Sequence, residues 1–279
     1  MGKLALTLLV LLFTAAVAVG APKWEGRTVE VFAGSASAPP LREAALLFKE
    51  RTGAEVDLHF GGSGTMLSQI TLSGRGDLYI PGSSDFMELA KEKDAVDPST
   101  ERVIAYLLPA ICVPKGNPKG IKTLEDLSQP GLRVGIGRPD TVCVGLYGVE
   151  AIERAGLGVG VKLNVVSHAE SCSKTAQLVA LGLVDAVMGW DVFAKWSDKI
   201  EAVPLPPEST PRIGYIPGAL TKNTTEPAAA SDFLAFITDG EGARFFSEAG
   251  YITSVEEARR RTTPNTPVGG FYALPDGWK

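Results

Sequence analysis

Short apolar, strand-like runs alternate with helix-like runs along most of the chain, and this alternation limits the fold more than any other feature. The first strand-like run, TVEVFAG at residues 28–34, precedes a helix-like run with proline at its start and Gly53 at its end. Further strand-like runs are AEVDLHF, DLYIPGS, LRVGIG, KLNVVSH and DAVMGW. Strands that alternate with helices indicate an α/β fold with mixed, mostly parallel sheets.

The N-terminus has the pattern of a secretory leader. Residues 1–20 contain one basic residue, Lys3, followed by an uncharged apolar run and then small residues. This order is typical of a cleavable signal peptide, with cleavage before Ala21. Because the apolar run is about as long as a short membrane span, an uncleaved anchor is the alternative. We therefore expect an exported, periplasmic protein.

The charge and the metal-ligating residues exclude some classes of function. The formal net charge is −5 and the pI is about 5.3, with no cluster of lysine and arginine, so we expect no nucleic-acid partner. An acidic protein can still hold a small anion through local dipoles and hydrogen bonds. Two histidines, and three cysteines without CxxC spacing, predict no metal site.

Four strand-to-helix turns carry small or hydroxyl residues. They are AGSAS at 33–37, GGSGT at 61–65, DTVCVG at 140–145 and AESCSK at 169–174. The N-terminus of a helix offers free N–H donors and a partial positive charge, which suit a small anion. Four such turns around one cleft would surround an oxyanion. The alternative is that each serine is only a helix N-cap.

Ser63, in the second of these turns, raises the separate hypothesis of a hydrolase nucleophile. The GxSxG elbow requires a glycine where this chain has Thr65, and neither His59 nor His168 lies in a motif that would make it the base. We expect a protein that is not an enzyme, and an exported serine- or cysteine-dependent enzyme is the hypothesis to test against.

The turns VFAGSAS, FGGSGTM and VCVGLYGVEAI, and the segment EPAAASDFLAFITDGEGARFFSEAGY, resemble segments of the periplasmic molybdate/tungstate-binding proteins of ABC transporters. The resemblance runs from about Val29 to Tyr251. It implies a type II periplasmic binding protein fold, in which two α/β lobes are joined by two crossing strands. Lobe 1 would comprise residues 27–105 plus 213–279, and lobe 2 residues 106–212.

The same resemblance implies the ligand and the partners. A molybdate- or tungstate-like tetrahedral oxyanion would be held between the lobes without a cofactor. The protein would act as a monomer and deliver the oxyanion to the membrane permease of an ABC importer. Carried over residue by residue, the binding residues in lobe 1 would be Ser35, or its neighbour Ala36, and Ser63. In lobe 2, Val144 and Cys172 would donate backbone N–H groups.

Three departures from the family pattern affect the predicted site. Trp190 falls where the family usually has an oxyanion-binding tyrosine. Val142 and Gly189 stand where the tungstate-selective archaeal branch has carboxylate ligands, so we expect hydrogen bonding to the oxyanion and no expanded coordination. Asp191 would repel an anion in the cleft, and we expect it to point to solvent or to form a salt bridge across the hinge.

Cys143 and Cys172 replace a proline and an apolar residue of the family pattern. One alternative is a structural disulfide between them, with Cys112 buried as a small hydrophobic residue. A second is a pair of free thiols that hold a thiophilic metal or metalloid, which would give the same fold a different ligand. A third is two unpaired, passive cysteines.

Overall fold

The computed structural model describes residues 23–279, so the predicted signal peptide at residues 1–20 lies outside the described residues. Within residues 23–279, no helix has both the length and the apolar character that crossing a membrane requires. The strands of this part are β1 (Thr28–Gly34), β2 (Glu55–Gly61), β3 (Leu78–Ile80), β4 (Arg102–Leu107), β5 (Pro109–Pro114), β6 (Val134–Gly137), β7 (Val165–Ala169), β8 (Ala186–Trp190), β9 (Ile200–Pro204) and β10 (Gly214–Leu220). The α-helices are α1 (Ala38–Thr52), α2 (Ser63–Ser73), α3 (Ser84–Glu92), α4 (Cys143–Arg154), α5 (Gly158–Lys162), α6 (Cys172–Ala180), α7 (Phe193–Trp196), α8 (Pro227–Thr238), α9 (Arg244–Glu248) and α10 (Val255–Arg259).

The strands form two five-stranded sheets with the same plan. The first has the order β2-β1-β3-β10-β4 and the second the order β7-β6-β8-β5-β9. In the first sheet, β1 is parallel to β2 and β3, whereas β10 is antiparallel to β3 and β4. In the second, β6 is parallel to β7 and β8, and β5 is antiparallel to β8 and β9. We call each sheet with its helices a lobe.

The prediction of two α/β lobes with mixed sheets is confirmed, although parallel pairs do not outnumber antiparallel ones within the described residues. The reason is the same in both lobes. The strand that follows a crossing, β5 or β10, runs antiparallel to both of its neighbours. The chain crosses from the first lobe to the second between β4 and β5. It returns between β9 and β10. The two predicted crossings therefore exist, while the division into domains at individual residues stays a prediction.

The C-terminal residues lie against the second lobe, although the predicted lobe 1 extends to residue 279. Tyr272, Leu274 and Trp278 pack on the apolar cluster that contains Val149 and Ile152 of α4. The indole N–H of Trp278 also donates a hydrogen bond to Glu153 in the same helix. The end of the chain thus ties the first lobe to the second, which no local sequence pattern indicates.

One apolar cluster runs through the junction of the two lobes. It contains Val31 and Ile80 from the first sheet together with Val187 and Trp190 from the second, all with no more than traces of exposure. Continuous burial of this kind requires the two lobes to lie directly against each other. The carboxyl ends of β1, β3, β6 and β8 therefore lead towards one shared interior region, which is where open α/β sheets bind ligands.

Candidate functional site

The turns after β1 and β2 in the first lobe contact the turns before α4 and α6 in the second lobe. The Ser173 N–H donates a hydrogen bond to Ser35 Oγ over 3.0 Å. The Gly64 N–H donates to the Thr141 carbonyl over 2.9 Å. All four turns predicted from their small and hydroxyl residues thus meet between the lobes.

Ser63 is buried and is the first residue of α2. Its hydroxyl makes no capping bond, because the N-cap position belongs to Gly62, so the N-cap alternative is wrong for this serine. Instead, Ser63 Oγ accepts a hydrogen bond from the Gly82 N–H over 3.0 Å, and the Ser63 carbonyl accepts one from the Tyr79 hydroxyl over 2.9 Å. Ser63 therefore links the turn after β2 to the turn after β3. Its hydroxyl is paired with a backbone amide and not with an imidazole.

Ser35 and Ala36 form the start of a short 3₁₀ turn directly after β1. Both are buried, and they form hydrogen bonds through different atoms. Ser35 contributes its hydroxyl to the inter-lobe bond with Ser173, whereas Ala36 contributes its carbonyl, which accepts a hydrogen bond from the Tyr251 hydroxyl. Tyr251 thereby fixes the first turn from the C-terminal part of the chain.

Cys143 and Cys172 are the first residues of α4 and α6, and both are buried. Their sulfur atoms lie 3.3 Å apart as two separate thiols, and Cys112 is a third buried thiol. Burial raises the pKa of Cys143 well above its ordinary value, and the hydrogen bond to Cys172 raises it further. Cys143 is therefore a neutral thiol at pH 7, although the start of a helix favours a thiolate.

Two of the donors predicted for the ligand approach the Cys143 sulfur. The backbone N–H of Val144 and the indole N–H of Trp190 both lower the pKa of Cys143, against the larger effect of burial. Trp190 is fully buried at the end of β8, with its ring edge-on to Tyr147 at 5.0 Å between centroids. Its Nε1 has no well-directed hydrogen-bond partner among the described residues. The indole N–H can therefore still donate a hydrogen bond in this region.

Asp191, next to Trp190, forms an ion pair with Arg261. The distance from Arg261 Nη1 to Asp191 Oδ2 is 2.7 Å. Burial raises the pKa of Asp191, and Arg261 opposes that effect. Since Arg261 follows α10 in the C-terminal part of the chain, the predicted salt bridge across the hinge is confirmed, and it compensates the charge of Asp191.

A cavity of about 510 Å³ opens between the lobes beside these turns. It is bordered by Gly62 and Thr141 from opposite lobes, and by Ser171, which precedes Cys172. Arg138 and Lys174 add positive charge to its wall, and Glu170, which pairs with Lys174 at 2.8 Å, adds negative charge. A cavity of this volume is in the range of small-molecule sites. It is lined by residues of three of the predicted turns, but by none of the predicted binding residues, which are Ser35, Ala36, Ser63, Val144, Cys172 and Trp190.

Sequence reasoning did not identify Gly82, Ser173 or Tyr251. Gly82 follows β3 in the sequence PGSSD, which has the same small and hydroxyl residues as the four predicted turns, so the same criterion would have found it. Ser173 lies within a turn that was identified, but its N–H was not assigned as a donor. Tyr251 is distant in the chain, and no local pattern connects it to the first turn.

One further group could hold a metal ion, away from the cleft. Ligand atoms of Glu30, Asp57 and His59 lie within 4.8 Å of one another on the paired strands β1 and β2. Arg75 Nη2 already pairs with Glu30 at 2.9 Å, which places a competing cation beside the group. The cluster takes no part in the inter-lobe site.

Comparisons with known proteins agree with this architecture. The family model described as bacterial extracellular solute-binding protein matches residues 29–252. The chain is 26% identical over 246 residues to the molybdate-binding protein ModA of Escherichia coli, covering 85% of this chain and 93% of that protein.

Two solved structures have a similar fold. The periplasmic molybdate-binding protein of Azotobacter vinelandii has a TM-score of 0.68 at 18% identity, over 80% of this chain and 98% of that one. The sulfate-binding protein SubI of Mycobacterium tuberculosis has a TM-score of 0.72 at 16% identity, over 87% of this chain and 94% of that one. These likenesses confirm the predicted two-lobed periplasmic binding protein fold.

Proposed function

Because the chain belongs to the bacterial extracellular solute-binding protein family, we propose that it captures a tetrahedral oxyanion between its lobes and delivers it to the permease of an ABC importer. The family is one of solute-binding proteins and not of enzymes. The ligand we propose is molybdate or tungstate, held without a cofactor. The protein would act in the periplasm as a monomer.

The observation that supports this proposal is the convergence of neutral donors from both lobes in one buried region. Ser35 and Ser63 contribute hydroxyls from the first lobe, and Val144, Cys172 and Trp190 are the proposed N–H donors of the second. Donors of this kind hold an anion without burying a compensating positive charge, because each supplies only part of a charge. The hydrogen bonds that Ser35 and Ser63 now make are to backbone N–H groups, which are themselves donors that an anion could use.

Selectivity in such a site would come from its size, because neutral donors accept any oxyanion. Sulfate is smaller than molybdate and tungstate, so it would leave some donors out of reach. Binding would also have to shift the lobes between a more open and a more closed arrangement, since the donors are buried in the present one. Hinge closure then reports ligand binding to the transporter.

The test is isothermal titration calorimetry on the mature protein with molybdate, tungstate and sulfate. We expect tight binding of molybdate or tungstate and weaker binding of sulfate. Ser63→Ala should weaken binding roughly 10- to 100-fold, because a hydrogen bond to a charged group contributes about 1.5–3 kcal/mol.

The matched control is Ser68→Ala, in the same helix but on its exposed face, which should leave the affinity unchanged. The absence of binding by all three anions would reject the oxyanion hypothesis. Normal affinity in Ser63→Ala would reject the assigned role of Ser63. Turnover of ester or thioester substrates would instead favour the hypothesis of an exported enzyme.

A further inference from the structure

The buried thiols of Cys143 and Cys172 stand among the groups proposed to bind the ligand. Each is the first residue of a helix in the second lobe, and their sulfur atoms are 3.3 Å apart. A disulfide bond requires about 2.05 Å between the sulfurs, so a small rearrangement of side chains would allow one to form. Cys112, the third thiol, lies apart from the pair, with its sulfur 3.4 Å from the Trp190 carbonyl.

The Cys143 sulfur also touches the first lobe. A β-carbon built on Gly82 would lie only 2.4 Å from Cys143 Sγ, so the glycine backbone packs directly on the thiol. The amide of the same glycine donates to Ser63 Oγ. The thiol therefore lies at the contact between the lobes. It touches Gly82, which is hydrogen-bonded to the proposed ligand donor Ser63.

We propose that Cys143 and Cys172 form a reversible dithiol–disulfide site, and that its redox state sets the affinity of the cleft for the oxyanion. The proposal rests on the proposed function, because it names a regulation of that same cleft. The reacting partner is a disulfide compound, either a small molecule such as oxidised glutathione or an oxidising protein of the exported compartment.

The reaction is a pair of thiol–disulfide exchanges. One of the two cysteines loses its proton and attacks a sulfur of the oxidant, which forms a mixed disulfide and releases one thiol. The other cysteine then attacks the protein sulfur of that mixed disulfide, closes the Cys143–Cys172 bond and releases the second thiol. Two electrons pass from the protein to the oxidant, and the two protons leave with the released thiols.

Access to the sulfurs depends on the hinge. Cys143 is 1% exposed and Cys172 is 2% exposed while Gly82 covers the first of them. An oxidant can therefore reach the pair only when the lobes separate. A ligand that holds the lobes together should protect the thiols, so that binding slows oxidation.

The direction of the effect on affinity follows from the contact between Cys143 and Gly82. In the reduced protein, the neutral Cys143 thiol packs against Gly82 of the first lobe. Closing the disulfide would draw the two sulfurs of the second lobe together, from 3.3 Å to about 2.05 Å, and would relieve that contact, so that the lobes can close further on the oxyanion. We expect the oxidised protein to bind tungstate about tenfold more tightly than the reduced protein, the effect of roughly one hydrogen bond to a charged group.

The experiment uses the mature protein equilibrated with either oxidised glutathione or a non-thiol phosphine reductant. After denaturation, alkylation with iodoacetamide and mass spectrometry count the free thiols. We expect all three cysteines to be alkylated in the reduced protein, and only Cys112 in the oxidised one. Tungstate is then titrated by calorimetry into each form, and the oxidation rate is measured with and without saturating tungstate.

Three variants serve as controls. Cys112→Ser should show the same change in tungstate affinity between the two redox buffers as the original protein. Cys143→Ser and Cys172→Ser should each have the same tungstate affinity in both buffers. Two separate variants of the pair keep the test valid if one of them fails to fold, as judged by circular dichroism.

The outcomes separate the two proposals. Failure of both redox forms to bind any oxyanion would reject the proposed function, and the redox control of oxyanion affinity would fall with it. Equal tungstate affinities in the two forms, or three free thiols after oxidation, would overturn the redox proposal alone. Tight binding of arsenite by the reduced pair, with no change in tungstate affinity on oxidation, would also overturn it and would favour the thiophilic ligand.

Discussion

Gly82 of the first lobe packs directly against the Cys143 thiol of the second. Its amide donates to Ser63 Oγ, and its missing side chain makes room for the sulfur of the other lobe. Ala36 borders the same space, where its β-carbon is 3.3 Å from the position that a Gly82 β-carbon would take. A larger residue fits there only if the Cys143 side chain turns away or the lobes move apart.

Gly82→Ala should therefore hold the lobes slightly open. We expect tungstate affinity to fall at least tenfold in calorimetry, while circular dichroism shows a normal fold. The double variant Gly82→Ala/Cys143→Ala is the control, because removal of the sulfur removes the clash and should restore much of the affinity. Equal weakening in the single and the double variant would mean that the sulfur contact does not set closure.

Sequence alone predicted some residues of this region and not others, for a physical reason. The turns around Ser35, Ser63, Cys143 and Cys172 each follow a strand and open a helix, so a local pattern marks them. The contact of Tyr251 with Ala36 joins residues far apart in the chain, and only the completed fold brings them together. The pairing of the Ser63 hydroxyl with Gly82, in place of its own helix, was likewise decided by tertiary structure.

At the scale of elements, a buried ion network joins α3, α4 and the second crossing. Arg212, in the crossing, donates from Nη2 to Asp85 of α3 at 3.1 Å and from Nε to Glu150 of α4 at 2.7 Å. All three side chains are nearly inaccessible, and the guanidinium carbon lies 4.2 Å from the centre of the Tyr147 ring. The network holds a helix of each lobe against the hinge.

Arg212→Met should destabilise the protein by about 3–5 kcal/mol at pH 7, because it leaves the buried carboxylate of Asp85 without its cation and leaves that of Glu150 paired only with Arg154. Urea unfolding followed by circular dichroism measures this loss. The matched control is Arg102→Met, which breaks an exposed ion pair with Asp239 and should cost no more than about 1 kcal/mol.

The loss in Arg212→Met should depend on pH. Burial already raises the pKa of Glu150, against the opposing effect of Arg212, and removal of the arginine should raise it further. A carboxyl whose pKa is raised in the folded state favours folding at low pH and loses that contribution as the pH rises through the folded-state pKa. The variant should therefore recover part of its stability between pH 7 and pH 5. A deficit that is constant over this range would show that Glu150 stays charged.

For the whole molecule, the C-terminal residues act as a tie between the lobes. The Gly270 carbonyl accepts a hydrogen bond from Ser84 of α3, and the Tyr272 N–H donates to Asp85. Trp278 then packs against α4 of the second lobe. This segment therefore contacts both lobes on one side of the cleft and should limit how far they open.

Deletion of residues 271–279 should shift the protein towards open arrangements. We expect a larger radius of gyration in small-angle X-ray scattering without ligand, and compaction when tungstate is added. Lys279→Ala is the control, because this residue is exposed at the very end of the chain. An unchanged radius of gyration after the deletion would show that the tie does not limit opening.

The strand order of the first sheet has a consequence for how the protein is made. β10 lies between β3 and β4, yet the whole second sheet precedes it in the chain. A chain that emerges N-terminus first can thus pair every strand of the second sheet while β3 and β4 still have exposed edges. Until residue 220 emerges, those edges are open to mispairing and to recognition by chaperones and proteases. During synthesis, the chain is therefore most exposed to mispairing just before β10 emerges.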